Sequence, residues 1–411
     1  MSQLINGRPY FTSIQTAPCI YPWLSYDESC DVLIIGNGFS AALLAYRFAD
    51  AGVSVVLAGT DPAGYGGTAL SGGILLYETE NNLSGLMKQI GRENAVQVYK
   101  MQQEAIGNLE NLALSFPAAG FTRRDGFYYT NKPEQADQFH TEYLMRRHNG
   151  FDVTYIDRDT AMDRFSFPVQ AGILSKGLAG EIDSYLFMHA LLAAAEKRGA
   201  RIYENTPVQT LFEEGDGVFA ETTAFRKIRA KKAILATGLA PNKNVWGISS
   251  KRTSFYLVTK PVEAFPGYTD CPVIRAETQT PYYLRSTRDK RLFICGGESL
   301  LASERGRISR VLHMNRLFDI RYQEMEQKLS EMFCGIPKLE AEYRYAGYLP
   351  KTGDTLPVFG YAPGRKNIYL HYTAGVNRAV QAEIGSRLLL QLYLEGRCPD
   401  LALFSAERET V

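Results

Sequence analysis

The chain has 411 residues, 45% of them hydrophobic, which is enough to bury about two cores and form about two domains. Lysine and arginine (45) nearly balance aspartate and glutamate (44), and the chain has no basic block, so nucleic acid is not an expected partner. The N-terminal stretch lacks a signal-peptide layout and no apolar run reaches the ~18 residues of a membrane span, so we expect a cytoplasmic protein without a membrane span.

The six cysteines are spread along the chain, and no two of them form a CxxC pair. This spacing indicates neither a zinc site nor a disulfide framework, so we expect reduced, buried thiols and no bound metal. The cysteines are Cys19, Cys30, Cys271, Cys295, Cys334 and Cys398.

The first predicted unit contains DVLIIGNGFSA, residues 31–41. Residues 32–35 are apolar, which predicts a buried parallel strand, and apolar residues at helical spacing follow until Gly52. In a strand–turn–helix unit of this kind, the glycines permit a tight turn and the approach of a pyrophosphate, and the start of the helix favours phosphates. The alternative is a glycine-rich turn in another kind of α/β protein. The predicted cofactor-binding residues are Gly36, Gly38, Phe39, Ser40 and Ala41.

The second predicted strand lacks a residue that dinucleotide sites usually have. An Asp or Glu normally ends this strand and holds the adenosine ribose, but here the strand runs into Ala58 and Gly59. Losing a charged hydrogen bond of that kind weakens binding by about 1.5–3 kcal/mol. Either Asp61 takes its place from the turn, or backbone groups and water hold the ribose. No arginine follows to meet the 2′-phosphate of NADP.

A second glycine-rich segment, DPAGYGGTALSGGILLYE, follows at residues 61–78. An NAD-binding domain does not require such a segment. Taken alone, the segment would equally fit a glycine-rich surface loop. The order VVL and then GxGGTxLSGG resembles the FAD-dependent D-amino-acid oxidase superfamily, which includes glycine and sarcosine oxidases. The resemblance implies that this segment runs past the pyrophosphate towards the flavin. The residues it assigns to the cofactor are Gly66, Gly67, Thr68, Gly72 and Gly73.

Three later segments resemble the same family in the same order, up to about residue 395. Within GLAGEIDSYL, Asp183 caps a predicted helix that Gly199 ends, and the resemblance implies that the backbone of Val208 meets adenine. KKAILATG is similar to a family strand that passes the cofactor. The stretch from GYLPKTGD to HYTAGVNRAV is similar to the C-terminal closure, whose amphipathic helix would point its N-terminus at the flavin pyrimidine ring. The implied cofactor residues are Ala236, Thr237, Gly238, Gly347, Gly375, Val376, Asn377 and Arg378.

The resemblance implies a bound FAD. No second GxGxxG unit lies between a strand and a helix, so we expect no separate NAD(P)H domain and expect the electrons to come from the substrate itself. The family positions for covalent attachment carry Leu70 and Tyr348, so the implied FAD is non-covalent. Ile294 stands where sarcosine-oxidase-like members have a lysine that promotes reaction with oxygen. The electron acceptor therefore stays open between oxygen and a redox partner.

The fold class that follows is α/β, with a Rossmann-like FAD-binding domain and an α+β substrate domain whose sheet is mostly antiparallel. We predict that residues 1–83, 171–248 and 345–411 form the FAD-binding domain. Residues 84–170 and 249–344 are predicted to form the substrate domain, which would roof the flavin.

The predicted substrate is a small amine or amino-acid-like molecule, oxidised by hydride transfer to the flavin. Leu349 stands where amino-acid oxidases of this type have a carboxylate-binding arginine, so such a substrate needs another cation, Arg285 or Lys351. Tyr256, Tyr283 and Arg285 on the sheet and His371 near the closure are the candidate catalytic residues, although aromatics in a sheet are more often core. Two alternatives stay open, a single-Rossmann flavin monooxygenase and a catalytically degenerate FAD-binding protein with a sensing or partner role.

Overall fold

A computed structural model of the chain describes residues 4–238, 250–278, 281–299 and 309–408. Within these ranges the strands form two sheets, one of ten strands and one of eight. The predicted domain boundary between residues 248 and 249 lies outside the described residues.

The elements follow one another along the described chain as below. The strands are β1 Leu4–Gly7, β2 Glu28–Ile35, β3 Val55–Ala58, β4 Ile74–Leu76, β5 Thr122–Thr130, β6 Val153–Asp157, β7 Ala171–Glu181, β8 Arg201–Tyr203, β9 Val208–Glu214, β10 Gly217–Thr222, β11 Lys227–Leu235, β12 Ser250–Thr259, β13 Val273–Ala276, β14 Tyr282–Ser286, β15 Leu292–Ser299, β16 Ala341–Lys351, β17 Val358–Tyr361 and β18 Ile368–Tyr372. The α-helices are α1 Tyr10–Ile14, α2 Phe39–Asp50, α3 Leu83–Ile90, α4 Arg92–Leu114, α5 Ala136–His148, α6 Arg158–Met162, α7 Ser184–Lys197, α8 Ser309–Met332 and α9 Arg378–Glu395. Three short 3₁₀ helices span Pro117–Ala119, Pro133–Gln135 and Pro399–Phe404.

The eight-stranded sheet carries the predicted Rossmann-like unit. Its main path runs β17-β18-β11-β2-β3-β8, and the pairs from β18 to β8 are parallel. Strand β2 lies inside this path, and its residues from Val32 to Ile35 are buried because helices and loops cover both faces of a parallel sheet. The carboxyl ends of β2, β11 and β18 therefore lie at one edge, which is where such sheets bind ligands.

The ten-stranded sheet is mostly antiparallel, as the sequence predicts. It runs β1-β16-β12-β15-β14-β13-β5-β7-β4, with β6 beside β7, and β13 with β5 is its parallel pair. The predicted mixed α/β fold class is confirmed. The predicted domain limits stay a prediction, and the structure puts β1, β4, β7 and the end of β16 in this sheet although those limits assign them to the FAD-binding domain.

The predicted helix ends depend on local capping and match the structure closely. Helix α2 ends just before Gly52, whose φ is +79°, and the Asp183 carboxylate accepts hydrogen bonds from the first two N–H groups of α7 after Ser184. Helix α9 differs from the predicted amphipathic helix, because it packs against α2, α4 and β18 and buries even Glu383 and Gln381. It is a core helix.

The cysteine side chains are less buried than the sequence predicts. All six thiols are free, but only Cys295 is fully buried and Cys334 is exposed, so the prediction of buried thiols is wrong for most of them.

Among the described residues no group of three or more His, Cys, Asp or Glu side chains could hold a metal ion. No described helix has the length and apolar character that crossing a bilayer requires.

Candidate active site

A cavity of about 630 Å³ opens at the carboxyl edge of the parallel strands. Ile35, Leu235 and Tyr372, which end β2, β11 and β18, contribute to its wall. The wall joins segments far apart in sequence, from the first glycine turn to the start of α9. An elongated ligand could therefore contact both glycine-rich segments at once.

The first glycine turn lines this cavity through Gly36, Gly38, Phe39 and Ser40. Gly36 has φ +138°, and a Cβ atom there would overlap the carbonyl oxygen of Ala236, the residue after β11. The Phe39 N–H donates to Thr68 Oγ1 at 2.9 Å, which joins the start of α2 to the second glycine-rich segment. The backbone is therefore bare where the helix dipole favours phosphate. Ala41 lies outside this wall, because its methyl group is fully buried within α2.

The second glycine-rich segment contributes its first half to the wall. Gly66, Gly67 and Thr68 line the cavity, and a Cβ atom added to Gly66 would meet no atom within 4 Å. Gly72 and Gly73 lie beyond the wall, where the Gly72 carbonyl accepts a 2.6 Å bond from Arg285 Nε.

The start of β9 and the end of β11 also contribute to the wall. Val208 lines the cavity together with its neighbours at positions 207 and 209–211. Ala236, Thr237 and Gly238 line it as well. These placements agree with the positions that the family resemblance implies for the cofactor, whereas direct contacts with it stay a prediction.

The C-terminal closure contributes Arg378 but not the residues just before it. The Arg378 guanidinium lines the cavity and donates to the Gly67 carbonyl at 3.1 Å. The Asn377 side chain turns away, because its amide bonds the backbone of Leu76 on β4 and Gln102 Oε1 on α4. Asn377 thus ties the closure to β4.

Three other predicted closure residues also lie outside this wall. Gly375 has φ +69°, its N–H donates to the Pro350 carbonyl at 3.0 Å, and a Cβ atom there would overlap the Glu80 carboxylate. Val376 packs against an apolar cluster, and Gly347 pairs with β1 and β12 inside the ten-stranded sheet.

The predicted substrate tyrosines lie on the ten-stranded sheet and outside the cavity wall. Tyr256 stacks on Tyr345 at 4.8 Å between ring centroids. Burial raises the pKa of Tyr256 to about 12 and that of Tyr283 well above its usual value, so both phenols stay protonated donors.

The two candidate cations for a substrate carboxylate already have partners. Arg285 forms a buried ion pair with Glu181 at 3.1 Å and also bonds the Gly72 carbonyl. Lys351 contacts the carboxylates of Glu80 and Glu298, the latter at 2.9 Å. To bind a substrate carboxylate, Arg285 or Lys351 would have to give up a carboxylate partner that it has in the fold, which costs free energy.

His371 lines the cavity wall as a buried, neutral side chain. Its Nε2 lies 3.3 Å from the Ala382 carbonyl, and its Nδ1 has no hydrogen-bond partner among the residues that the structure describes. Burial lowers the pKa of His371 to about 4. An imidazole of this kind is a poor general acid near pH 7.

We expect His371 to make the stability of the apo-protein pH-dependent. Because the pKa falls from about 6.5 in the unfolded chain to about 4 in the folded one, the unfolded chain binds the extra proton. The stability is complete above pH 6.5 and is lost as the pH falls towards 4. Between pH 7.5 and 5.0 this amounts to about 2 kcal/mol, which denaturant unfolding of the wild type and His371→Gln should reveal.

The exposed His148→Gln variant is the matched control for that comparison. It should keep the wild-type change in stability between the two pH values, whereas His371→Gln should reduce it. An unchanged pH dependence in His371→Gln would contradict the burial argument.

The sequence analysis missed several wall residues that do not belong to a glycine motif. Ile35, Leu235 and Ile368 belong to parallel strands, so the rule that ligands bind beyond the carboxyl ends could have found this region. Ser184 and Arg365 carried no such signal, because only the tertiary fold brings α7 and the turn before β18 to the cavity. The missed wall residues are Ile35, Asn37, Thr60, Ser71, Ser184, Pro207, Gln209, Thr210, Leu211, Leu235, Pro350, Arg365, Ile368, Tyr372, Thr373 and Ala379.

The residues in this wall fit a dinucleotide. The bare glycine backbone and the N-terminus of α2 suit phosphates, and Arg365 and Arg378 supply positive charge. The Ser184 hydroxyl is buried, lines the cavity and has no partner within the described residues, so a bound ligand could satisfy it.

Comparisons with known proteins point the same way. The family model described as FAD dependent oxidoreductase (DAO) matches residues 31–391. The probable oxidoreductase OrdL of Haemophilus influenzae is 22% identical over 367 residues, covering 86% of this chain and 80% of that protein. The mitochondrial dimethylglycine dehydrogenase of Homo sapiens is 26% identical over 282 residues, covering 65% of this chain and 30% of that protein.

A solved structure shows the same fold. Glycine oxidase from Geobacillus kaustophilus superposes with a TM-score of 0.75 at 19% identity, covering 93% of this chain and 99% of that one. At this identity the likeness establishes the fold alone.

Proposed function

Because the chain belongs to the DAO family of FAD-dependent oxidoreductases, we propose that it oxidises a C–N bond of an amine or amino-acid derivative. The observation that carries this proposal is the single cavity wall formed by both glycine-rich segments and Arg378, which also includes Pro350 of the ten-stranded sheet. The names of two similar proteins, dimethylglycine dehydrogenase and glycine oxidase, support a substrate of this class.

Bound FAD would supply the hydride acceptor, so the protein needs to bind, orient and exclude water rather than provide an acid–base triad. Gly36, Gly38 and Gly66 would leave room for the pyrophosphate. Arg378 and the N-terminus of α9 place positive charge beside the cavity, which favours a cofactor that gains negative charge on reduction.

On the substrate side, Tyr256 and Tyr283 would act as neutral hydrogen-bond donors. We propose that Arg285 orients the second glycine-rich segment rather than binding substrate, because its guanidinium is shared between Glu181 and the Gly72 carbonyl. His371 would be neutral and would contribute shape to the cavity. Amines without an α-carboxylate are therefore the substrates we expect to react first.

The direct test is anaerobic mixing of the FAD-loaded protein with a panel of primary and secondary amines, N-methylated amino acids and α-amino acids. Bleaching of the visible flavin absorbance by at least one of these compounds supports the proposal. Bleaching by NADH or NADPH alone would favour the monooxygenase instead. If no amine reduces the flavin while dithionite does, the proposed activity is wrong.

The electron acceptor follows from a second measurement on the same sample. After reduction by a substrate, reoxidation in air-saturated buffer is compared with reoxidation by an artificial quinone. Fast reoxidation by oxygen indicates an oxidase, and reoxidation only by the quinone indicates a dehydrogenase with a redox partner.

A further inference from the structure

We propose that Asp61 binds the adenosine ribose of FAD, in place of the carboxylate that usually ends the second Rossmann strand. This assignment concerns cofactor binding and does not depend on the oxidised substrate. The three observations that carry it are the position of Ala58, the free carboxylate of Asp61 and the way in which Asn37 holds the turn.

The usual position for a ribose-binding carboxylate is occupied by an apolar core residue. Ala58 ends β3 with 1% of its surface exposed, in an apolar cluster with Leu33, Val56 and Tyr203. Its methyl group is therefore part of the core and offers the ribose no hydrogen-bond acceptor.

Asp61 supplies a carboxylate three residues later. It lines the cavity with Thr60, on the same wall as the first glycine turn and Val208. Of the described residues in this wall, it is the sole one that carries a carboxylate. Within the described ranges, no hydrogen bond or ion pair engages that carboxylate, so it is available to a ligand.

Asn37, the residue between the two glycines of the first turn, holds the turn that carries Asp61. Its side-chain amide donates to the Asp61 backbone carbonyl, and the Asn37 backbone carbonyl accepts a hydrogen bond from the Gly64 N–H at 3.0 Å. Gly59 allows this approach, since a Cβ atom there would lie 2.5 Å from Asn37 Cβ. The Thr206 N–H donates to the Gly59 carbonyl at 2.7 Å from the other side.

A carboxylate in this cavity needs a reason, because the cofactor itself is anionic. An Asp near a pyrophosphate weakens binding by charge repulsion unless it accepts hydrogen bonds from the ligand. The ribose hydroxyls, like the ribityl hydroxyls on the flavin side, are neutral donors near the pyrophosphate of FAD. Asp61 shares the cavity wall with the first glycine turn and Val208, the residues assigned to the pyrophosphate and the adenine, and we therefore assign it to the ribose.

The test is the affinity of the apo-protein for FAD, measured by quenching of flavin fluorescence. Losing a charged hydrogen bond should weaken binding of FAD by about tenfold to one hundredfold in Asp61→Asn. Asp216→Asn, which removes an exposed carboxylate from the β9–β10 turn, should keep wild-type affinity. If Asp61 contributes only charge, Asp61→Asn will bind FAD as tightly as the wild type or more tightly, and the proposal is overturned.

Positioning by Asn37 has its own readout. Asn37→Ala should weaken FAD binding, and the double variant with Asp61→Asn should be little weaker than Asp61→Asn alone, since both act on the same contact. Displacement of FAD by ADP, 2′-deoxy-ADP and 3′-deoxy-ADP then identifies the ribose. The wild type should prefer ADP over at least one deoxy analogue, and Asp61→Asn should lose that preference. A preference that survives the substitution would overturn the assignment even if Asp61→Asn folds poorly.

Discussion

Gly66→Val should fold normally and bind FAD about five- to 150-fold more weakly than the wild type. A valine side chain at this position meets no protein atom near its Cβ, and Gly66 lies outside the positive-φ region, so the fold has no reason to resist it. The side chain instead projects into the space where the cofactor would lie. Overpacking of this kind costs about 1–3 kcal/mol, a factor of about five to 150 in affinity.

The measurement pairs FAD titration with the melting temperature of the apo-protein. Gly107→Val is the matched control, because a Cβ on that glycine of α4 also meets no atom within 4 Å but lies away from the cavity. Both apo-variants should melt close to the wild type, and only Gly66→Val should fail to gain stability from FAD. Wild-type affinity in Gly66→Val would show that the cofactor does not pass this segment.

Arg146→Met should produce the largest loss of stability, about 3–5 kcal/mol in the free energy of unfolding. Arg146 is fully buried and bonds Glu142 Oε1 at 2.7 Å, Tyr77 Oη at 3.0 Å and the Glu78 carboxylate. Removing the guanidinium leaves the buried Glu142 carboxylate without a cation, and Glu78 keeps only Arg275 at 3.5 Å. Denaturant unfolding of the apo-protein measures the effect.

The neighbouring Arg147→Met variant is the control, since Arg147 is exposed on the same helix. It should change the free energy of unfolding by less than about 0.5 kcal/mol. The double variant that combines Arg146→Met with Glu142→Gln should recover part of the loss, because Glu142 then carries no unpaired charge and Glu78 keeps its pair with Arg275. A loss below about 1 kcal/mol in Arg146→Met would mean that water or other groups compensate for the missing cation.

The parts of the fold predicted best are those that local chemistry determines. The turn at Gly36, the strand before it and the cap at Asp183 depend on residues within a few positions of one another. The strands of the antiparallel sheet carried their own apolar and β-branched signal. No signal in the sequence places β1, β4 and β7 in that sheet, because these strands join it through contacts between distant parts of the chain.

The site was harder to predict where side chains choose partners far away in sequence. The sequence predicts Arg285 as a candidate cation for a substrate carboxylate. In the structure Glu181, 104 residues before it, forms a buried ion pair with it. Asn377 lies beside the predicted flavin-binding turn, but its amide bonds β4 instead. Sequence identifies residue types that suit a cofactor, and only the fold decides which of them face it.

The N-terminal segment carries none of the motifs from which the site was predicted. Tyr10 and Phe11 of α1 are buried in the cluster that holds Tyr256 and Tyr283, and the family match begins only at residue 31. Phe11 also lies beside Gly73, where a Cβ atom would come within 3.2 Å of its ring. This segment therefore supports the second glycine-rich segment from a part of the chain without a family signature.

The account depends on one claim, that the cavity between the two glycine-rich segments holds a non-covalent FAD. The measurement that tests it most directly is denaturation of the purified protein, followed by identification of the released chromophore and titration of FAD into the apo-protein. We expect one FAD per chain in the protein-free supernatant and a rise in melting temperature when FAD is added back. A colourless protein whose melting temperature FAD does not change would contradict the account.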